Sequence, residues 1–213
     1  MGFEHPCQNK ILETASDKNM LPRLLILGST SRYRRELLER LQLPFKTVAP
    51  EVDETPVDGE SGADCATRLA RLKAHAAAKG HPNALIIGSD QVPECDGRRL
   101  DKPGTLGGAL EQLSWASGKQ AVFNTALTVL NTATEQEQTR VVATTVRYRR
   151  LTLPEIRRYL QKEAAIDCAG SAKAEGLGIS LLDAIEGNDP TALIGLPLIA
   201  LCEMLRNEGV DIP

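Results

Sequence analysis

The chain has 213 residues, 42% of them hydrophobic, and a formal net charge of −3. That length and apolar content allow a full core, as one large domain or two closely joined lobes. The acidic balance speaks against bulk electrostatic binding to DNA, RNA or anionic lipid, so any phosphate must be held locally.

Residues 1–20 are polar without a clear period and are expected to form a poorly ordered N-terminal extension, with the fold proper occupying 21–213. They lack the charged-then-apolar order of a signal peptide, and no apolar run approaches the roughly 20 residues of a membrane span. A cytoplasmic protein is therefore expected. LPRLLILGS then predicts a buried strand, and STSRYRREL a helix capped by Ser29 or Ser31, with an apolar stripe through Leu37, Leu38 and Leu41. This puts Arg32, Arg34 and Arg35 at the positive end of a helix dipole, where each like charge is unfavourable by roughly 0.3–1 kcal/mol. An anion is called for. Arg34, three residues before Leu37, lies above the buried stripe; Arg35 is rotated about 100° away from it.

PFKTVAP reads as a second strand, followed by the acidic loop EVDETP and a helix from Ser61 to Lys79, where Ser61 and Asp64 have capping-box spacing. Its apolar face is expected through Cys65, Ala66, Leu69, Leu72 and Ala76, with Lys73 on the edge, where it must snorkel or meet an anion. ALIIGSDQV is the clearest buried strand. Asp90 emerges at its carboxyl end, the edge where open α/β sheets bind ligands. DGRRLDKPG reads as a polar turn in which Pro103 stiffens Lys102, and TLGGALEQLSWAS as a helix. QAVFNTALTVLN and TRVVATTVRYRR predict a long hairpin. LPEIRRYLQKE and LPLIALCEMLRNEG are helices flanking the Gly-rich GSAKAEGLGIS. The order is α/β in front and α+β behind.

Three arginines and two lysines would neutralise a polyphosphate, and the carboxylates of Glu51, Asp53, Glu54 and Asp90 suit Mg²⁺ or Mn²⁺. Five cysteines without a CxxC pair suggest neither disulfides nor zinc, and His5, His75 and His81 have no ligand spacing. No Walker loop, GxGxxG or nucleophile elbow is present.

STSRYRRELL, APEVDETP, RLARLKA, IIGSDQV, DKPGT, CAGSAKAEGLGISLL and LIGLPLIALCEMLR, in that order over residues 22–208, resemble the Maf family of nucleotide pyrophosphatases. The resemblance implies the fold of the inosine-triphosphate pyrophosphatase superfamily: a long mixed β-sheet flanked by helices, in two lobes with a nucleotide cleft between. It implies phosphate contacts from Ser29 and Arg34, catalytic roles for Asp90, Glu54, Lys73 and Lys102, and a divalent metal, Mg²⁺ or Mn²⁺, on Asp90 and Glu54. Tyr33, Gln91 and Glu175 resemble the branch acting on 7-methyl-GTP, whereas the dTTP and UTP branch usually has Arg, Thr and Gln there. A cationic base gains from an aromatic face and from a carboxylate accepting its N–H groups. Arg32 stands where the family usually has Pro, and Ala172 where an aromatic residue is common. The expected activity is hydrolysis of 7-methyl-GTP to 7-methyl-GMP and pyrophosphate, without nucleic-acid or membrane partners; a homodimer stays open. A pyrophosphatase for dTTP, UTP or another modified nucleotide, and a non-catalytic nucleotide-binding regulator of cell division, are the alternatives.

Overall fold

The computed structural model describes residues 23–213, so the expected extension at 1–20 lies outside the described residues. A seven-stranded mixed sheet is built from β1 (Leu24–Gly28), β2 (Phe45–Val48), β3 (Ala84–Cys95), β4 (Arg98–Arg99), β5 (Gln120–Asn131), β6 (Gln136–Tyr148) and β7 (Leu182–Glu186). Its order is β2-β1-β3-β5-β6-β7, with β4 paired to the end of β3. β1 pairs parallel with β2 and β3; β3, β5, β6 and β7 pair antiparallel in succession. The predicted α/β front and antiparallel rear are thus two halves of one sheet.

Period-2 alternation sorts β1 between two cores. Leu25 and Leu27 face α1 (Arg32–Glu39) and α5 (Leu198–Asn207), while Ile26 faces α2 (Gly62–Ala78). Leu27, Ile26, Ile86 and Ile87 are fully buried, each contributing about 1.5–3 kcal/mol. In the rear, α3 (Leu106–Ala116) and α4 (Leu153–Lys162) close a third core over Phe123, Val146 and Tyr148.

Three expectations are corrected. The buried stripe of α2 runs through Cys65, Ala66, Leu69, Ala70, Lys73, Ala74 and Ala77, which leaves Leu72 41% exposed and puts Lys73 inside the stripe. DGRRLDKPG is no simple turn: Asp96 (φ 50) and Gly97 (φ 73) make the two left-handed positions of a tight hairpin that adds β4. The Gly-rich region leads through a 3-10 turn, Leu177–Leu181, into β7, a strand not anticipated.

Candidate functional site

Asp90 occupies the point on β3 just past its parallel pairing with β1, which ends at Gly28↔Gly88. Both glycines let α2 lie directly on the sheet. A Cβ at Gly88 would stand 2.2 Å from the Ala70 carbonyl oxygen, and one at Gly28 2.9 Å from the Ala77 Cβ. Because the helix approaches so closely, Lys73 reaches the strand end: its Nζ lies 2.6 Å from Asp90 Oδ1 and 3.0 Å from Glu54 Oε1. Lys73 and Asp90 are buried, whereas Glu54 stands exposed on its loop. The lysine at the stripe meets an anion and does not snorkel. Of the other loop acids, Asp53 turns away, its Oδ1 accepting from the Thr55 amide at 2.9 Å, and Glu51 is not in the cleft wall.

The loop after β1 supplies the opposite wall. Ser31 caps α1, accepting from the Arg34 amide at 3.4 Å, and Ser29 Oγ accepts from the Ser31 amide at 3.1 Å. Arg34 Nε donates to the Gly195 carbonyl at 2.8 Å and Nη1 points to Ser29 Oγ at 3.5 Å. The same carbonyl accepts from Ser89 Oγ at 3.0 Å, so one turn joins α1 to β3. Buried Asp189 holds that turn, accepting from the Thr191 hydroxyl at 2.7 Å and the Ile199 amide at 2.8 Å. The three cations of the helix start are now distinguishable: Arg35 pairs with Glu39 at 3.0 Å, Arg32 with Asp167 at 3.4 Å, and Arg34 touches no carboxylate among the described residues. Burial pulls the Arg34 guanidinium down from its usual pKa, against the attraction of Asp90 and Glu54. An anion entering here would find a cation already partly desolvated.

At the other end of the cleft the Tyr33 hydroxyl donates to Asp167 Oδ2 at 3.2 Å and accepts from Arg32 Nη2 at 2.7 Å. Gly170 (φ 74) shapes the segment facing it, since a Cβ there would stand 2.7 Å from Phe123 Cζ. The Gly170 carbonyl accepts from buried Tyr148 at 3.0 Å, which fixes the segment bearing Asp167, Cys168 and Lys173. Burial pushes the Cys168 thiol up to about 11, which keeps it a neutral wall atom. Gln91 Nε2 donates to Thr125 Oγ1 and to the Ala192 and Leu193 carbonyls, at 2.9, 2.9 and 3.0 Å. The two carbonyls can only accept, which settles the orientation of the amide and commits its NH2 group to the Ala192–Leu193 turn. Glu175 is exposed at the rim.

These walls enclose a cleft of about 700 Å³ in which all nine expected site residues meet: Ser29, Tyr33, Arg34, Glu54, Lys73, Asp90, Gln91, Lys102 and Glu175. Lys102 is exposed there, without an acceptor among the described residues. Six basic side chains line it against five acidic ones, so the cleft is locally positive on a chain of net charge −3. Arg99, Asp101, Asp167 and Lys173 also line it and were not anticipated. Lys173 lies within the quoted CAGSAKAEGLGISLL, a usable signal; Asp167 just precedes it and carried none. His75 pairs with Glu137 at 2.6 Å outside the cleft wall, and His81 also lies outside it. His5 falls outside the described residues.

The family described as Maf-like protein matches residues 24–208. A relative from Aromatoleum aromaticum, named 7-methyl-GTP pyrophosphatase, is 54% identical over 189 residues, covering 89% of this chain and 97% of the relative. Relatives of the same name from Thiobacillus denitrificans and Cupriavidus pinatubonensis are 57% and 56% identical, covering 88% and 89% of this chain and 94% of each relative. With a family match running from the first strand to the last helix, and relatives this similar along nearly their whole length, the chain belongs to the Maf family.

Proposed function

We propose that this protein is a cytoplasmic nucleoside triphosphate pyrophosphatase that hydrolyses 7-methyl-GTP to 7-methyl-GMP and pyrophosphate. The observation that carries the reading is Lys73 Nζ bracketed by Asp90 and Glu54 at 2.6 and 3.0 Å, in the cleft whose other wall is the Ser29–Arg34 loop. Relatives named for this activity share more than half of its residues along most of the chain. No helix among the described residues is long and apolar enough to cross a membrane.

Asp90 accepts the proton of a water that attacks the α-phosphorus, and the bond from that phosphorus to the bridging oxygen of the β-phosphate breaks to release pyrophosphate. Lys73 holds the carboxylate in place, while Arg34 and Lys102 offset charge growing on the phosphate oxygens. At the far end, Tyr33 offers a ring face to the cationic base, and Glu175 accepts its N1–H and N2–H hydrogens. No group of three or more His, Cys, Asp or Glu side chains among the described residues could hold a metal alone. The donor set fits Mg²⁺ or Mn²⁺ jointly with substrate, since such ions commonly take one or two carboxylates, here Asp90 and Glu54, plus phosphate oxygens. When bound, the ion supplies further neutralisation of phosphate charge.

The test is pyrophosphate release from 7-methyl-GTP, GTP, dTTP and UTP, with Mg²⁺ and with Mn²⁺. The highest kcat/KM should fall on 7-methyl-GTP, and Asp90→Asn should lose roughly 10²–10⁴ in rate while remaining folded. A dTTP or UTP optimum would overturn the substrate, and tight binding without turnover on any nucleotide would overturn the enzyme.

A further inference from the structure

The ring of Tyr33 is not free on both sides. The Arg32 guanidinium lies 4.7 Å from its centroid, within cation–π range, and the same arginine donates to the Tyr33 hydroxyl. Asp167, 134 residues away in sequence, accepts from that hydroxyl and pairs with Arg32, and Lys173 Nζ stands 3.6 Å from its other oxygen. Two acts follow from one carboxylate. It fixes the ring's tilt across the cleft, and it offsets a guanidinium lying on the ring that is to receive a base.

We infer that Asp167 is a positioning residue for Tyr33 and that Arg32 and Asp167 together set how well the base subsite accepts positive charge. The inference rests on the assignment of Tyr33 to the base subsite. A ring has one quadrupole, and a cation on one face weakens its attraction for a second cation on the other. Arg32 therefore opposes a cationic base, and Asp167 cancels part of that opposition. The two residues should act with opposite sign on the preference for 7-methyl-GTP over GTP, which differ by the N7-methyl group and its charge.

The experiment compares kcat and KM for 7-methyl-GTP and GTP across wild type, R32A, Y33F, D167A, D167N and the double variant Y33F/D167A. D167A should raise KM for both nucleotides by about 3- to 10-fold, more for 7-methyl-GTP than for GTP, with little change in kcat, as expected from losing a hydrogen bond that orients the ring together with the charge that offsets Arg32. D167N keeps an acceptor for the hydroxyl, so it should restore KM for GTP; it lacks the charge, so 7-methyl-GTP should remain impaired. R32A should raise the 7-methyl-GTP to GTP ratio of kcat/KM by about 2- to 5-fold. On GTP, Y33F/D167A should be no worse than either single change, because both break the same bond. Additive losses, or D167N behaving as D167A on GTP, would overturn the positioning role. A fall in the ratio for R32A would overturn the charge balance. A wild type that does not prefer 7-methyl-GTP would instead sink the substrate assignment, and the KM pattern on GTP would still decide the role of Asp167.

Discussion

Lys73 carries a cation into a wall where α2 lies flat on the sheet, and its buried partner is Asp90. Removing one member of such a pair leaves the other charged and desolvated, at a cost of about 3–5 kcal/mol, whereas removing both costs far less. Lys73→Met should thus abolish turnover and lower the urea midpoint sharply, while Lys73→Met/Asp90→Asn should recover most of the stability and none of the activity. Equal stability of the single and double variants would show that the pair is solvated in solution. Both members of this pair could be singled out from sequence because each stands out locally, a lysine against an apolar stripe and an aspartate at a strand end; that they meet could not. Asp167 and Arg99 were not legible. Asp167 meets Tyr33 only because Gly170 lets its segment approach Phe123, and Arg99 reaches Cys65 Sγ at 3.3 Å only through a hairpin. Neither approach leaves a periodic trace in the chain.

At the scale of elements, the contact of α2 with β1 and β3 decides whether the Lys73–Asp90 pair forms at all. A Cβ on Gly88 would stand 2.2 Å from the Ala70 carbonyl oxygen and 2.7 Å from the Ala74 amide nitrogen, backbone atoms that no rotamer change can move aside. Gly88→Ala must push the helix outward, at a cost of roughly 1–3 kcal/mol for overpacking, and it carries Lys73 away from Asp90. The expected result is a drop in kcat exceeding what the stability loss explains, with KM changed less, measured on protein kept well below its melting temperature. Unchanged kcat would mean that the helix's distance from the sheet does not govern the pair. The later helices and the long strands were readable here because each repeats its pattern over ten or more residues, and the eight-residue α1 because a serine cap precedes its leucine stripe. The two-residue β4 offers too short a run, and β7, LDAIE, interrupts its apolar residues with two acids where the equally short β1 reads LLILG, although the Asp96-Gly97 dipeptide was a hairpin signal in plain view.

Across the whole molecule, the cleft joins two halves that share their backbone. β3, β5 and β6 are 12, 12 and 13 residues long and run from the front cores, under α2 and α5, into the rear core under α3 and α4. Neither half can lose its strands without stripping hydrogen-bond partners from the other, so the expected single domain of 21–213 should unfold in one transition across the described residues. Two reporters differ in reach: the sole tryptophan, Trp115, on α3 in the rear, with Lys119 Nζ 3.4 Å from its ring centroid, and the ellipticity of the helices of both halves, of which the 17-residue α2 in front is the longest described. Tryptophan fluorescence and far-UV ellipticity should therefore trace superimposable melting curves. A non-hydrolysable 7-methyl-GTP analogue at 100 times its Kd should raise both midpoints together, by about 5–10 °C, from a binding contribution of about 2.7 kcal/mol. If only one signal moved, or if the two separated without ligand, the halves would be independent folding units. Substrate binding would then have to assemble the cleft, and the distance between Tyr33 and Asp167 would become a property of the bound state alone.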